Sequence, residues 1–156
     1  MARTVEPIPA GYHNVTPYLI VHDAAAALSF YARAFGAEER FRLSTPGGKI
    51  AHAEMKLGDS VIMLADEHPE LGAVSPKTLK GASVFILLYV EDVDAIVEKA
   101  LASGAKLVRP VADQFYGDRT GTLVDPFGHQ WTLATHVENV NPEELGRRAA
   151  AAGLGM

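Results

Sequence analysis

The sequence predicts an α+β fold, in which two paired βαβββ modules form a curved mixed sheet around a cavity. One element order, a strand, a capped helix and three strands, occurs twice along the chain. A single separation of 69 positions relates Val21 to Val90, Asp23 to Asp92 and Leu64 to Leu133. Repeated modules bury their apolar faces against each other, and a cavity between paired sheets is a natural ligand site. An ordinary α+β sandwich with coincidental spacing is the alternative.

The bulk composition is that of a soluble globular domain. The chain has 156 residues, 48% hydrophobic and 21% charged, enough for a core of ordinary size. Its net charge of -5 argues against a nucleic-acid partner, and no basic run indicates a membrane surface. Without cysteine, neither a disulfide framework nor a thiolate site is possible. With no signal peptide or membrane span recognised, we expect a cytoplasmic protein.

The first module is predicted over 15–66, after an N-terminal arm at 1–14. Asp23 is a good N-cap for a helix over 24–35, which Gly36 ends. The strands of this module are predicted over 16–21, 39–43, 50–56 and 61–65. A polar linker loop follows at 67–82, rich in proline and glycine.

The second module is predicted over 83–136, and a C-terminal helical tail over 137–156. Asp92 caps a helix over 93–102. The tail helix begins at Asn141, with proline and two acids in its first turn. The strands of this module are predicted over 84–90, 106–111, 120–124 and 130–135.

Several motifs resemble the vicinal oxygen chelate superfamily, which includes glyoxalases, bleomycin resistance proteins and dioxygenases. The segment Tyr18 to Asp23 (YLIVHD) resembles the opening of such a module, and Asp125 to Trp131 (DPFGHQW) resembles its closing hairpin. The stretches 51–54 (AHAE) and 115–119 (FYGDR) are most similar to the PhnB-like branch. This resemblance implies a ligand cavity and, in many relatives, a homodimer.

Metal-dependent members of that superfamily hold a divalent ion with four side chains, usually His, Gln or Glu. Their positions correspond to Thr16, Met63, Phe85 and Thr132 in this chain. Phenylalanine has no donor atom, a thioether suits Cu(I), and neutral hydroxyls are weak ligands. We therefore expect no metal at these positions and no other cofactor.

His52 and Glu54 are the candidate catalytic residues. Counting outward from the Gly58-Asp59 turn sets Glu54 opposite Met63, so both side chains share one face of the sheet. A carboxylate beside an imidazole could form a general acid/base pair, both tuned toward neutral pH. One alternative is that His52 and Glu54 are two ligands of a displaced metal site, with a third ligand from elsewhere. The other is a structural role, in which they anchor loops by hydrogen bonds or lie at the wet mouth of the cavity.

The remaining candidate ligand-binding residues are aromatic or polar. Arg119 would clamp an anionic group, or else belong to an internal network with Asp118 or the backbone. By strand alternation Trp131 is core, whereas four histidines (His22, His68, His129 and His136) are interpreted as surface residues. The full set predicted to contact ligand is Tyr18, Met63, Phe85, Tyr89, Tyr116, Arg119 and Thr132.

Three functions remain open. The first is a metal-independent protein that binds a small apolar or aromatic molecule, like the antibiotic-sequestering members of the superfamily. The second is a lyase, isomerase or dioxygenase-type enzyme that uses an off-position site at His52 and Glu54. The third is a dimeric scaffold whose cavity is vestigial. In each case we expect a homodimer.

Overall fold

The structure is a computed structural model that describes residues 4–154. The chain divides into two compact units, Met1–Gly81 and Ala82–Met156. The described residues of each unit form one four-stranded mixed sheet with helices, as the predicted α+β class requires. None of the helices in the described part is long and apolar enough to cross a membrane.

The elements of the first unit are β1 (Tyr18–Val21), α1 (Ala24–Phe35), β2 (Glu38–Ser44), β3 (Ile50–Leu57), β4 (Ser60–Asp66) and α2 (Pro76–Leu79). The sheet order is β1-β4-β3-β2, in which only the β1–β4 pair is parallel. One face of the sheet packs on α1, whose buried side chains include Leu28, Phe30 and Tyr31. The predicted helix at 24–35 is confirmed.

The elements of the second unit are β5 (Phe85–Tyr89), α3 (Val93–Ala102), β6 (Lys106–Asp113), β7 (Asp118–Val124), β8 (Gln130–His136) and α4 (Pro142–Ala151). They repeat the arrangement of the first unit, with the sheet order β5-β8-β7-β6. Trp131 is fully buried, as strand alternation predicts, and its indole N–H donates to Asp125 Oδ2 at 2.9 Å. Asp125 Oδ1 also accepts from two backbone amides of the 125–129 turn, which fixes this tight connection.

The internal repeat is confirmed by strand register. Tyr18 pairs with Met63 in the first sheet, and Leu87 pairs with Thr132 in the second, so the separation of 69 positions holds on both strands. Asp23 and Asp92 each cap the first helix of their unit through a side-chain oxygen.

The repeat extends to the bond between the last strand and the helix start of each unit. In the first unit Asp66 Oδ1 accepts from the Ala24 N–H at 2.8 Å. The equivalent bond in the second unit runs from the Val93 N–H to Thr135 Oγ1 at 3.0 Å. A coincidental α+β sandwich gives no reason for such equivalent bonds.

The structure departs from the sequence prediction in the linker, at the start of β1, which begins at Tyr18 rather than at position 16, and in the lengths of β6 and β7. The linker is not a loop throughout, because it contains a 3-10 turn over Pro69–Leu71 and the short helix α2, capped by Ser75. Glu67 organises it by accepting from the Ser75 N–H at 2.9 Å and from the Thr78 hydroxyl. Strands β6 and β7 are also longer than predicted, because they pair as far as Asp113 and Arg119.

Candidate functional site

His52 and Glu54 lie together on the open face of the first sheet. Both belong to β3, and Glu54 pairs with Met63 as the count from the turn predicts. Residues two apart on a strand point to the same side, so the two side chains are neighbours. His52 Nε2 lies 3.2 Å from Glu54 Oε1, while Glu54 is only 4% exposed.

Two tyrosines extend this pair into a chain of four hydrogen-bonded side chains. The Tyr12 hydroxyl, from the N-terminal arm, donates to Glu54 Oε2. The Tyr18 hydroxyl, from β1, lies 2.7 Å from His52 Nδ1. The order Tyr12–Glu54–His52–Tyr18 joins the arm, β3 and β1, and we call it the first-unit network.

The first-unit network keeps Glu54 ionised. Burial by itself disfavours the charged carboxylate, but hydrogen bonds from Tyr12 and His52 and the positive charge of Arg40 outweigh it. The pKa of Glu54 is therefore lowered from its usual value. The sequence-based expectation that burial tunes this carboxyl toward neutral pH is wrong, because both oxygens have donors.

The hydrogen bonds also fix the tautomer of a neutral His52. An ionised Glu54 only accepts, so Nε2 must carry the hydrogen, and Nδ1 is left to accept from Tyr18. Burial, followed by the charge of Glu54, raises the pKa of Tyr18, which keeps its hydroxyl protonated as the donor. Both imidazole nitrogens are thus engaged inside the protein.

Two cavities flank the first-unit network within the first unit. The first cavity has a volume of about 470 Å³ and lies between the arm and the sheet, with Tyr12, Glu54 and Met63 among its lining residues. The second cavity has a volume of about 540 Å³ and is lined by Tyr18, Ala65, the turn and first residues that begin β3, and the segment that follows β4. Both volumes fall within the range of small-molecule sites.

Aromatic rings surround His52 on this face. The Tyr18 and Phe41 rings lie 5.4 Å and 5.8 Å from the imidazole, centroid to centroid, and both are tilted to it. Tyr18 is 46% exposed and Phe41 43% exposed, so the surface they form is accessible within the unit. A flat apolar molecule would find contact area here beside hydrogen-bonding groups.

The four positions that the resemblance assigns to metal ligands do not fit a divalent ion. Thr16 and Met63 line the first cavity, Phe85 is exposed on β5, and the Thr132 hydroxyl lies 3.2 Å from that of Thr122. A thioether, two hydroxyls and a phenyl ring make no donor set for Mg²⁺, Zn²⁺ or Fe²⁺.

The displaced metal site that the sequence left open needs a third ligand beside His52 and Glu54. Within residues 4–154, no group of three or more His, Cys, Asp or Glu side chains converges in a way that could hold an ion.

A second polar cluster lies in the other unit, around Asp118 at the start of β7. Its Oδ2 accepts from the Tyr89 hydroxyl at 2.8 Å, and its Oδ1 lies 2.7 Å from His136 Nδ1. Hydrogen bonds to Asn139 and Asp118 raise the pKa of His136, although burial opposes this. His136 is a half-exposed surface residue, as predicted, but it partners a carboxylate that is 6% exposed.

Arg119 forms an internal network rather than pointing a free guanidinium at a ligand. It binds both oxygens of Asp94 on α3, at 2.7 and 2.8 Å, and Asp113 on β6 at 3.1 Å. These bonds raise its pKa. Of the two alternatives, the internal network is formed, with Asp94 and Asp113 in place of Asp118.

The other predicted ligand residues of the second unit do not converge on Arg119. Phe85 and Tyr89 are exposed on β5, while Tyr116 stacks edge-on against Phe115 before β7. The tail helix packs in its own unit through Arg148, which binds Glu138 and the Phe115 carbonyl.

Sequence reasoning missed Tyr12, Asp118 and the role of His136. Tyr12 belongs to an arm without periodicity, and its partner lies 42 positions away along the chain. Asp118 could have been recognised from its place next to Gly117 at the start of a strand, but its neighbour Arg119 was interpreted as the functional residue instead.

Comparison with known proteins places these observations in a family. The model of the Glyoxalase/Bleomycin resistance protein/Dioxygenase superfamily matches residues 11–133. Protein Rv0887c of Mycobacterium tuberculosis is 40% identical over 158 residues, covering 99% of this chain and 89% of its own length.

Solved structures show the same likeness. The structure of TioX from Micromonospora is 26% identical with a TM-score of 0.63, covering 80% of this chain and 99% of that one. The PhnB protein from Bacillus cereus, at 21% identity, has the same fold, with a TM-score of 0.58 over 79% of this chain and 99% of its own. This chain therefore belongs to the Glyoxalase/Bleomycin resistance protein/Dioxygenase superfamily.

Proposed function

We propose that this protein binds a small apolar or aromatic molecule on the open sheet face of its first unit, without the metal of its metal-dependent relatives. The observation that carries the proposal is the accessible aromatic surface around His52, formed by Tyr18 and Phe41. It lies on the same sheet face as two cavities of ligand size.

Binding is favoured over acid/base catalysis by the state of the first-unit network. A lowered pKa makes Glu54 a poor proton acceptor at neutral pH, because a good general base titrates near the working pH. Both nitrogens of His52 already have partners. The same network is well suited to orient a ligand, since the Tyr18 hydroxyl oxygen and the Glu54 carboxylate can each accept a further hydrogen bond at the edge of an apolar surface.

The enzyme alternative rests on the contact between His52 and Glu54. A carboxylate that holds an imidazole in one tautomer is a common arrangement around a general base. In such an enzyme a substrate group would have to displace the Tyr18 hydroxyl from His52 Nδ1, so that this nitrogen could accept the substrate's proton. A compound that the wild type converts, and that His52→Ala binds but leaves unchanged, would favour this alternative.

A fluorescent neutral probe, N-phenyl-1-naphthylamine, tests binding. We expect saturable binding to the wild type, weakened by about tenfold in Tyr18→Ala and His52→Ala, because each change removes a ring or a fixed polar group. The matched control is Leu79→Ala, which trims an exposed side chain of α2 outside both cavity linings. Absence of binding, or equal loss in the control, would contradict the proposal.

Metal analysis of the purified protein tests the second part of the proposal. We expect less than a stoichiometric amount of any transition metal, since the donor chemistry at the four equivalent positions is unsuitable. One tightly held ion per chain, removed only by a strong chelator, would refute metal-independent binding.

A further inference from the structure

Tyr12 presents a phenol to the sheet from within the chain. Its hydroxyl donates to Glu54 Oε2, and both residues line the first cavity together with Met63. The Arg40 guanidinium lies 5.2 Å from the centre of the Tyr12 ring. The arm therefore places an aromatic ring and its hydroxyl at the wall of a cavity that would otherwise be open to a ligand.

The Glu54 carboxylate requires a hydrogen-bond donor at the oxygen that Tyr12 now contacts. Its carboxylate is buried, and an ionised carboxylate can only accept hydrogen bonds. One oxygen is bonded to His52, and the other depends on Tyr12. A molecule that displaces Tyr12 without bringing a donor leaves a buried charged acceptor unpaired, which strongly disfavours its binding.

The surroundings select the kind of donor. A negatively charged group is repelled by Glu54, and the Arg40 guanidinium over the Tyr12 ring favours an aromatic ring at this place through a cation–π contact. The walls supplied by Pro7, Ile8 and Met63 favour an apolar body. A neutral hydroxyl on an aromatic ring satisfies all three conditions.

We infer that the ligand of the first cavity carries a neutral phenolic hydroxyl, which replaces that of Tyr12 as the donor to Glu54 Oε2. This inference rests on the proposed function and names the chemical class of its ligand. Tyr12 is then an internal competitor, and its hydroxyl must leave Glu54 before the ligand is fully seated.

Two probes with the same ring system separate the hydroxyl from the ring: 2-naphthol, which is neutral at pH 7, and its methyl ether, 2-methoxynaphthalene, which has no O–H donor. Calorimetric titrations compare the wild type with Tyr12→Phe, which keeps the ring over Arg40 and removes only the competing hydroxyl. We expect 2-naphthol to bind Tyr12→Phe about tenfold more tightly than the wild type, the scale of one charge-assisted hydrogen bond. The affinity of the methyl ether should rise less than twofold in Tyr12→Phe.

Two further variants test the mechanism. His13→Ala removes a second contact of the arm, at the Asp59 carbonyl, and leaves the acceptor unaltered, although His13 also lines the first cavity. It should change the affinity of both probes by the same factor. In Tyr12→Phe/Glu54→Gln the acceptor is neutral, and 2-naphthol should lose most of its advantage over the ether.

The outcomes separate this inference from the proposed function. If both probes bind but gain equally in Tyr12→Phe, the phenol inference is overturned and aromatic binding stands. If 2-naphthol gains as much in His13→Ala as in Tyr12→Phe, arm release explains the effect and the inference is again overturned. If neither probe binds any of the proteins, the inference fails together with the proposed function.

Discussion

Asp66 joins the start of α1 to the start of β3, and replacing it tests how the candidate site is held in place. Its two carboxylate oxygens accept from the backbone N–H groups of Ala24, at 2.8 Å, and Ile50, at 2.7 Å. Both donor residues are buried. Ile50 lies two positions before His52 on the same strand, so this bond fixes the register of the strand that carries the first-unit network.

Asp66→Asn keeps the size of the side chain and removes one acceptor. One N–H retains a neutral carbonyl partner, which costs about 1 kcal/mol relative to a charged one, and the other N–H faces an amide donor. An unsatisfied buried donor costs about 1–3 kcal/mol. We therefore expect the free energy of unfolding to fall by about 2–4 kcal/mol, the combined cost at the two N–H groups.

Urea denaturation at pH 7, followed by far-UV circular dichroism and by the fluorescence of the single tryptophan, Trp131, measures this change. Circular dichroism reports both units, whereas Trp131 reports the second unit, so the loss should be larger in the dichroism signal if the units unfold separately. The control is Asp59→Asn in the turn between β3 and β4, whose side chain is 88% exposed. A loss for Asp66→Asn no greater than that of this control would refute the role assigned to Asp66.

Three other predictions concern titration and backbone geometry. Because the folded pKa of Glu54 is lowered, its contribution to stability should be complete above about pH 4.3, its unfolded value, and disappear as pH falls through the folded value. Urea denaturation from pH 7 to 3 should therefore show a steeper loss in the wild type than in Glu54→Gln. The raised pKa of His136 predicts stabilisation that is complete below about pH 6.5 and lost as pH rises through the folded value, and NMR titration of its ring protons should give a midpoint above 6.5. Gly117 has a φ of +100°, and a Cβ there would collide with the Glu138 carbonyl oxygen, so Gly117→Ala should cost about 3 kcal/mol or more in a thermal or urea melt. Gly58→Ala, at a φ of +57° with open space around it, should cost about 1 kcal/mol, and equal costs for the two variants would contradict the steric argument.

The parts of the fold that the sequence predicts are those set by local patterns. Helix caps, glycine stops and strand alternation are properties of a few adjacent residues, and they located α1, α3 and the pairing of Glu54 with Met63. The separation of 69 positions added long-range information, because two equivalent modules must repeat their pairings.

The parts that the sequence left open depend on side chains that meet from distant segments. No pattern of neighbouring residues indicates that Tyr12 bonds to Glu54, or that Arg119 pairs with Asp94 on a helix 25 positions earlier. The predicted direction of the Glu54 pKa shift was wrong for the same reason, since this direction is decided by hydrogen-bond donors from the arm as well as from its own strand. Electrostatics at such a site follows the tertiary contacts, which the residue types alone do not specify.

The internal repeat also indicates where the two units differ in chemistry. The contacts that hold helix to sheet are equivalent in both, as the Asp66 and Thr135 bonds show. On the open face the contacts of the two units are not equivalent. Glu54 stands opposite Met63 in the first unit, whereas the residue opposite Thr132, at the equivalent position of the second, is Thr122.

An ionised carboxylate and a neutral hydroxyl at equivalent positions impose different conditions on a ligand. The carboxylate demands a donor, while the Thr122 hydroxyl already has a partner in Thr132. The structural hydrogen bonds between helix and sheet are equivalent in the two units, whereas the residues of the two open faces differ. A ligand that requires the carboxylate of the first-unit network has no such acceptor opposite Thr132 in the second unit, so we expect substitutions at Glu54 to weaken its binding and substitutions at Thr122 to leave it unchanged.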